Sequence, residues 1–385
     1  MKSEWKKVTL GDLISVSQGY TFKPEYQGVQ GEKWQYFKVA DIGLSSNKKY
    51  LITALNSISE EIKQFLKIKE FPAGSIAFPR VGAALLNNNK KILFQDSIVD
   101  DNTIVITPHT STINNEFLYY WFLTKQLKDF CNDGPVPVIS SKNIKSSKIL
   151  LPPISEQEKI AKTLSIWDSA IEKTEKLISE KEKLYKGHLN YFYDENENCI
   201  KLSEFAKEIA QRNKNKEVTQ VLSVTNKNGF VPPEQQFGKK IASEDLSNYK
   251  IIEKRQFAYN PSRINVGSIA RLDEFDSAVL SPMYTVFEIN TNLINSDYFL
   301  HWLSSKYAIH QIKLCAQGGV REIVGFEDFQ KMRIKSLSLK EQEKIADFLN
   351  IEKSEISLLK KQLEQYKLQK QGLMQKLLTG EWRIK

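Results

Sequence analysis

Side chains that could carry out chemistry are present in this chain, but none is spaced for it. The four histidines, His109, His188, His301 and His310, are scattered without metal-ligand spacing, and no HExxH pair occurs. Cys131, Cys199 and Cys315 are isolated and odd in number, so they make neither a CxxC metal site nor a disulfide framework. A phosphate-binding GxxxxGKS/T loop is missing, which argues against a chain-borne ATPase. Asp100 and Asp101 are adjacent carboxylates in a strand-rich region, with nothing to select them as a nuclease pair. Asn260-Pro261-Ser262-Arg263 shares two letters with the Asn-Pro-Pro-aromatic motif of amino-methyltransferases. It lacks the second proline and the aromatic ring that stacks on a flipped base, and no Gly-rich cofactor loop accompanies it, so it reads as a turn. These residues point to a binding protein with no catalytic residues, metal or cofactor of its own.

The elements that would position a binding surface are announced by a repeat. Glu156-Gln157-Glu158-Lys159-Ile160-Ala161 recurs letter for letter 185 positions on as Glu341-Gln342-Glu343-Lys344-Ile345-Ala346. The same register pairs Leu164 with Leu349, Ile171 with Ile356 and Gly187 with Gly372, so the chain is a tandem duplication. Leu202-Ser203-Glu204-Phe205 answers Leu10-Gly11-Asp12-Leu13 where the second copy begins. Each copy mixes short strand-like runs, at 74–82, 97–108 and 136–141 and again at 255–272 and 277–289, with one aromatic helix, at 115–130 and 296–312. Each ends in a long polar helix. Ser155 with Glu158, and Ser338 with Glu341, are the expected capping boxes. Apolar residues in a 3- and 4-residue rhythm form a coiled-coil seam, including Ile160, Trp167, Ile171 and Ile178 in the first helix and Ile345, Phe348, Ile356 and Leu363 in the second. Gly187 and Gly372 mark an end of the seam or a close helix crossing.

The expected fold class is α+β. Two globular α/β-type domains are separated by two long helices forming an antiparallel coiled coil, in a pseudo-two-fold internal duplication. The boundaries are 1–150 for the first globular domain, 151–193 for the first helical region, 194–336 for the second globular domain and 337–385 for the second helical region. A helix of about forty residues spans ~60 Å, longer than one DNA turn, so the pair could act as a ruler between two modules. Composition bounds the rest. The 55 Lys and Arg exceed 46 Asp and Glu, giving +9 and a pI near 9.1, which permits a polyanionic partner without requiring one. No signal-like N-terminus and no run long enough to span a membrane occur, so a cytoplasmic protein with no membrane partner is expected.

Two stretches carry a resemblance. Residues 151–178, LPPISEQEKIAKTLSIWDSAIEKTEKLI, and the C-terminal 337–385, with KQGLMQKLLTG, resemble the helical regions of the specificity subunit of type I restriction–modification systems. The opening EWKKVTLGDLI at 4–14 is similar to its usual start. The second helix departs from the pattern in having Leu337-Ser338 where the first has Pro152-Pro153. The resemblance implies a non-catalytic subunit whose globular parts are target recognition domains, each reading half of a bipartite asymmetric site on double-stranded DNA. The helices would dock two methyltransferase subunits, and two motor-nuclease restriction subunits would complete the complex. S-adenosylmethionine, ATP and magnesium would sit on those partners. The competing reading is a coiled-coil scaffold whose globular ends bind proteins. A self-sufficient methyltransferase or nuclease is disfavoured by the missing motifs.

Base contacts then fall to the unrepeated segments. In the first half these are Gln18, Tyr20, Lys23, Arg80, Asn88, Lys90 and Lys142, and in the second Arg212, Lys214, Lys227, Arg263, Asn265 and Arg321. Arg and Lys suit guanine edges, Asn and Gln suit adenine, and surplus Lys neutralises phosphate. Arg80 and Arg263 each sit in a segment punctuated by Pro or Gly, which places them at equivalent loop tips.

Overall fold

Short β-branched runs broken by Gly, Pro, Asn and Asp can only make short strands, and that is what the chain forms. The computed structural model describes residues 5–134, 136–194, 198–226, 229–234, 245–316 and 323–384. The chain divides into two units, Met1–Lys173 with Leu363–Lys385, and Thr174–Gln362. The division falls within both long helices, at 173/174 in one and 362/363 in the other.

In the first unit a five-stranded sheet runs in the order Ile14–Gln18, Thr103–Pro108, Ile76–Pro79, Lys91–Leu93, Tyr50–Leu51. A three-stranded sheet (Ser57–Ile58, Trp34–Phe37, Ile98–Val99) lies alongside in sequence, and Lys6–Thr9 pairs with Lys148–Leu151. The aromatic helix, Asn115–Leu123, buries Phe117 through Phe122 in a core with Ile76, Phe78, Ile104 and Ile106 of the sheet. Each buried aromatic of this kind contributes roughly 1.5–3 kcal/mol. Ile160, Ala161 and Leu164 of one long helix and Leu377 and Leu378 of the other close the same core.

The second unit repeats this plan. Ala206–Ile209, Thr285–Ile289, Phe257–Tyr259 and Ile269–Arg271 form one sheet, and Cys199–Lys201 pairs with Arg333–Lys335. The correspondence extends to single hydrogen bonds. Leu10 N donates to Ser147 O as Leu202 N does to Met332 O, and His109 N donates to Leu13 O as Asn290 N does to Phe205 O.

Three local expectations differ. Residues 136–141 are not a strand; Val138 and Ile139 make isolated bridges before a short helix, Ser141–Ser146. The stretch 115–130 breaks after Leu123 into a 3-10 turn at Leu127–Phe130, and 296–312 breaks into helices Ser296–Trp302 and Lys306–Ala316. The central long helix begins at Ile154, so Ser155 lies inside its first turn and makes no capping box; Pro153 O instead accepts from Glu156 N and Gln157 N. Ser338, at the position equivalent to Pro153, does cap, accepting from Glu341 N while Glu341 Oε2 accepts from Ser338 N at 3.0 Å.

The central helix, Ile154–Phe192, and the C-terminal helix, Leu339–Leu378, run antiparallel in each unit. In the first, Glu156 bonds Arg383 at 2.7 Å, Asp168 bonds Lys370, and Trp167 meets Tyr366 edge-on. In the second, Lys181 bonds Glu355 at 2.8 Å and His188 bonds Glu352 at 2.9 Å. Ile178, Ile356 and Leu363 are buried, and Ile171 is half-buried. Phe348 is 42% exposed yet touches His188 and Phe192, while Ile160 and Ile345 serve the globular cores. A Cβ on Gly187 or Gly372 would meet nothing within 4 Å, so neither marks a close crossing.

Candidate functional site

Each unit fastens a long helix with one buried amide. Gln157 is 1% exposed, and its Oε1 accepts from Asn114 N at 2.8 Å while Nε2 donates to Pro152 O and Thr112 O. Gln342, fully buried, accepts from Asn295 N at 2.7 Å and donates to Leu337 O and Leu293 O. Asn114 and Asn295 are themselves the N-caps of the two aromatic helices. A side-chain amide suits this place because its oxygen accepts while its NH2 supplies two donors from one rigid group, matching the three bonds made. The repeated EQ is therefore a clamp joining helix start to core. Glu156, beside it, is held below the usual carboxylate range by Arg383 and by the Trp5 indole N–H.

The far end of the first sheet gathers polar groups. The chain turns at Asp100–Asn102 between the strands Ile98–Val99 and Thr103–Pro108. Asp101 O accepts from Gln18 Nε2 at 2.8 Å and Arg80 Nε at 3.1 Å, and its carboxylate accepts from Thr21 Oγ1 at 3.0 Å. Arg80 N donates to Asn102 O at 2.7 Å, and Arg80 O accepts from Ile139 N at 2.9 Å. A Cβ on Gly19 would lie 2.2 Å from Asp100 O, so the crossing requires glycine there. Tyr20 forms a bridge with Asp100, and its carbonyl accepts the Tyr36 hydroxyl at 2.6 Å. Asp100 is buried, its pKa raised by desolvation against a hydrogen bond from Thr103. Thus the pair Asp100-Asp101 is a turn, not a catalytic dyad.

Of the residues expected at an interface, Gln18, Tyr20 and Arg80 meet at this edge. Lys23 is exposed near Glu25, and Lys142 is exposed on the short helix. Asn88 and Lys90 belong elsewhere. Lys90 is only 2% exposed, and its ammonium donates to Asn88 O, Asn88 Oδ1 and Lys125 O. Asn88, in the left-handed region at φ 55°, accepts from Leu127 N. Together they satisfy the chain where the aromatic helix breaks, and the ammonium suits the negative end of that helix. Burial lowers the Lys90 pKa to about 8.

In the second unit, Arg212 and Lys214 are exposed, Arg212 donating to Asn248 O beside the strand Lys250–Glu253. Arg263 is exposed on the loop after Phe257–Tyr259, with Asn265 half-buried next to it. These two groups border different sheets. Lys227 and Arg321 lie outside the described residues. Arg80 and Arg263 are not equivalent: Val324 N donates to Pro261 O as Ile139 N does to Arg80 O, so Pro261 holds the Arg80 position. Sequence reading missed Gly19, Thr21 and Asn102; the Asp-Asp-Asn run inside a strand pattern was the available turn signal. Among the described residues no group of three or more His, Cys, Asp or Glu could hold a metal, and no helix is long and apolar enough to cross a membrane.

Each of the two α+β units thus fastens a long helix to its aromatic helix through an equivalent buried glutamine, Gln157 in one and Gln342 in the other. Residues 2–182 match the family described as the type I restriction modification DNA specificity domain. A Methanocaldococcus jannaschii protein described as a type I restriction enzyme MjaX specificity subunit is 22% identical over 99% of this chain and 94% of its own length. The MjaVIII specificity subunit of the same organism is 22% identical over 78% and 77%. In fold, the chain is similar to the type I restriction-modification S subunit of M. genitalium, with a TM-score of 0.61 at 16% identity over 97% and 96% of the two chains. A chain from a solved type I R-M system gives 0.55 at 14% identity over 98% of each. The likeness to type I restriction–modification specificity subunits thus rests on the family model over residues 2–182, on relatives 22% identical and on the shared fold.

Proposed function

We propose that this chain is the non-catalytic DNA-recognition subunit of a cytoplasmic type I restriction–modification complex, reading a bipartite asymmetric target with one edge per unit. The observation that carries this is the pairing of sameness with difference. Gln157 and Gln342 make the same three bonds in the two units, whereas Arg80 is answered by Pro261 at the sheet edge. One scaffold with two unlike edges suits two unlike half-sites. The shared helices would set the gap between half-sites and dock two methyltransferase subunits, which bring S-adenosylmethionine. Two motor-nuclease subunits, using ATP and magnesium, would complete the assembly.

The test is co-expression with a methyltransferase subunit from the same operon in a methylation-free host, followed by sequencing of methylated adenines. A bipartite motif with a fixed gap, present only when this chain is present, is expected. Methylation that is absent or independent of this chain would overturn the reading and favour a protein-binding scaffold.

A further inference from the structure

The polar edge of the first unit is built around one side chain. Arg80 is pinned at both main-chain atoms, by Asn102 O on one side and Ile139 N on the other. Its Nε is committed to Asp101 O, which orients the guanidinium plane. Among the described residues its two terminal amino groups have no hydrogen-bond partner, and the residue is half-buried. Gln18 bonds the same carbonyl and Thr21 the same residue's carboxylate, so the turn that aims Arg80 is itself held from two directions. Exposed Lys23 and Lys142 have no such orientation. A guanidinium fixed in plane with its outer fork free matches the two acceptors on the major-groove edge of guanine, whereas an untethered ammonium suits phosphate.

Resting on the DNA reading above, we propose that Arg80 reads one guanine of the first half-site, its two terminal amino groups donating to O6 and N7. Asp101 and Gly19 act as positioning residues, the first through its carbonyl and the second by permitting the close chain crossing.

The experiment uses the full subunit assembled with its methyltransferase partner. Each guanine of the target is replaced in turn by 7-deazaguanine, which lacks the N7 acceptor, and binding is measured for the native subunit and for Arg80→Ala. One position in one half-site should weaken native binding about tenfold or more. The same replacement should leave Arg80→Ala unaffected, and the methylated motif of that variant should become degenerate at that position alone. Equal weakening of both proteins, an unchanged motif, or a half-site without guanine overturns the proposal. So does a uniform loss of affinity on all sequences, which marks a phosphate contact. Where Arg80→Ala folds poorly, Arg80→Lys, which keeps the charge but not the two-pronged fork, takes its place and should likewise lose the dependence on N7. Failure of the native complex to select any DNA sequence would instead overturn the DNA reading itself.

Discussion

At the scale of single residues, the same side-chain type has different duties according to burial. Lys23 and Lys142 are open to solvent, but Lys90 is interior and completes the broken end of the aromatic helix. An interior ammonium titrates early. Burial holds Lys90 near 8, against 10.5 for an ordinary lysine, so between those values the unfolded chain binds more protons than the folded one. Stability therefore rises with pH across that window, by at most about 1.4 kcal/mol per pH unit from this group. Chemical denaturation of the native protein and of Lys90→Met at pH 8, 9 and 10 checks this. The difference between them should move in favour of the native chain as pH rises, and a flat difference would show that Lys90 is not the titrating group.

At the scale of elements, the two long helices are held to their units by chemistry more specific than an apolar seam. Gln157→Leu would leave Asn114 N without an acceptor and Pro152 O and Thr112 O without a donor, all in or beside a packed core. A loss of about 2–3 kcal/mol is expected. Hydrogen exchange should rise chiefly in residues 1–173 and 363–385. Gln342→Leu should produce the same loss in residues 174–362. Protection lost equally in both units by either variant would contradict the local character of the clamp. The helices themselves were legible from their period and repeated letters. Their breaks and caps were less so. Ser155 with Glu158 has the letters of a capping box, but the helix starts at Ile154, two residues before that box would start it, because Pro153 O is already placed to accept from two amides. The aromatic segment 115–130 has helical spacing throughout, yet ends at Leu123 because Asn88 and Lys90 take up Lys125 O and Leu127 N from a distant part of the chain.

At the scale of the whole molecule, a net charge of +9 and the proposed DNA-recognition role predict strongly salt-dependent association with DNA. If the assembled complex neutralises about six phosphates or more, affinity for its target should fall roughly a thousandfold between 50 and 200 mM salt. Fluorescence anisotropy with a labelled duplex measures the slope. A protein-binding scaffold, held by apolar contacts, would show little dependence.

The sequence by itself determined the duplication, the long antiparallel helices and the absence of spaced catalytic motifs. These follow from period, repetition and residue type, all of which are local or self-referential and survive without coordinates. Only the tertiary structure decided which polar residues share an edge. Arg80 and Asn88 look alike as members of turn-like, basic stretches, yet one bonds the Asp101 carbonyl at the sheet edge and the other serves the chain where the aromatic helix breaks. It also decided that Arg263 answers Gly82 and not Arg80, since that register is written in main-chain hydrogen bonds between segments about sixty residues apart. The physical reason is that a side chain's burial and direction are set by partners distant in sequence, and a single chain of letters does not name those partners.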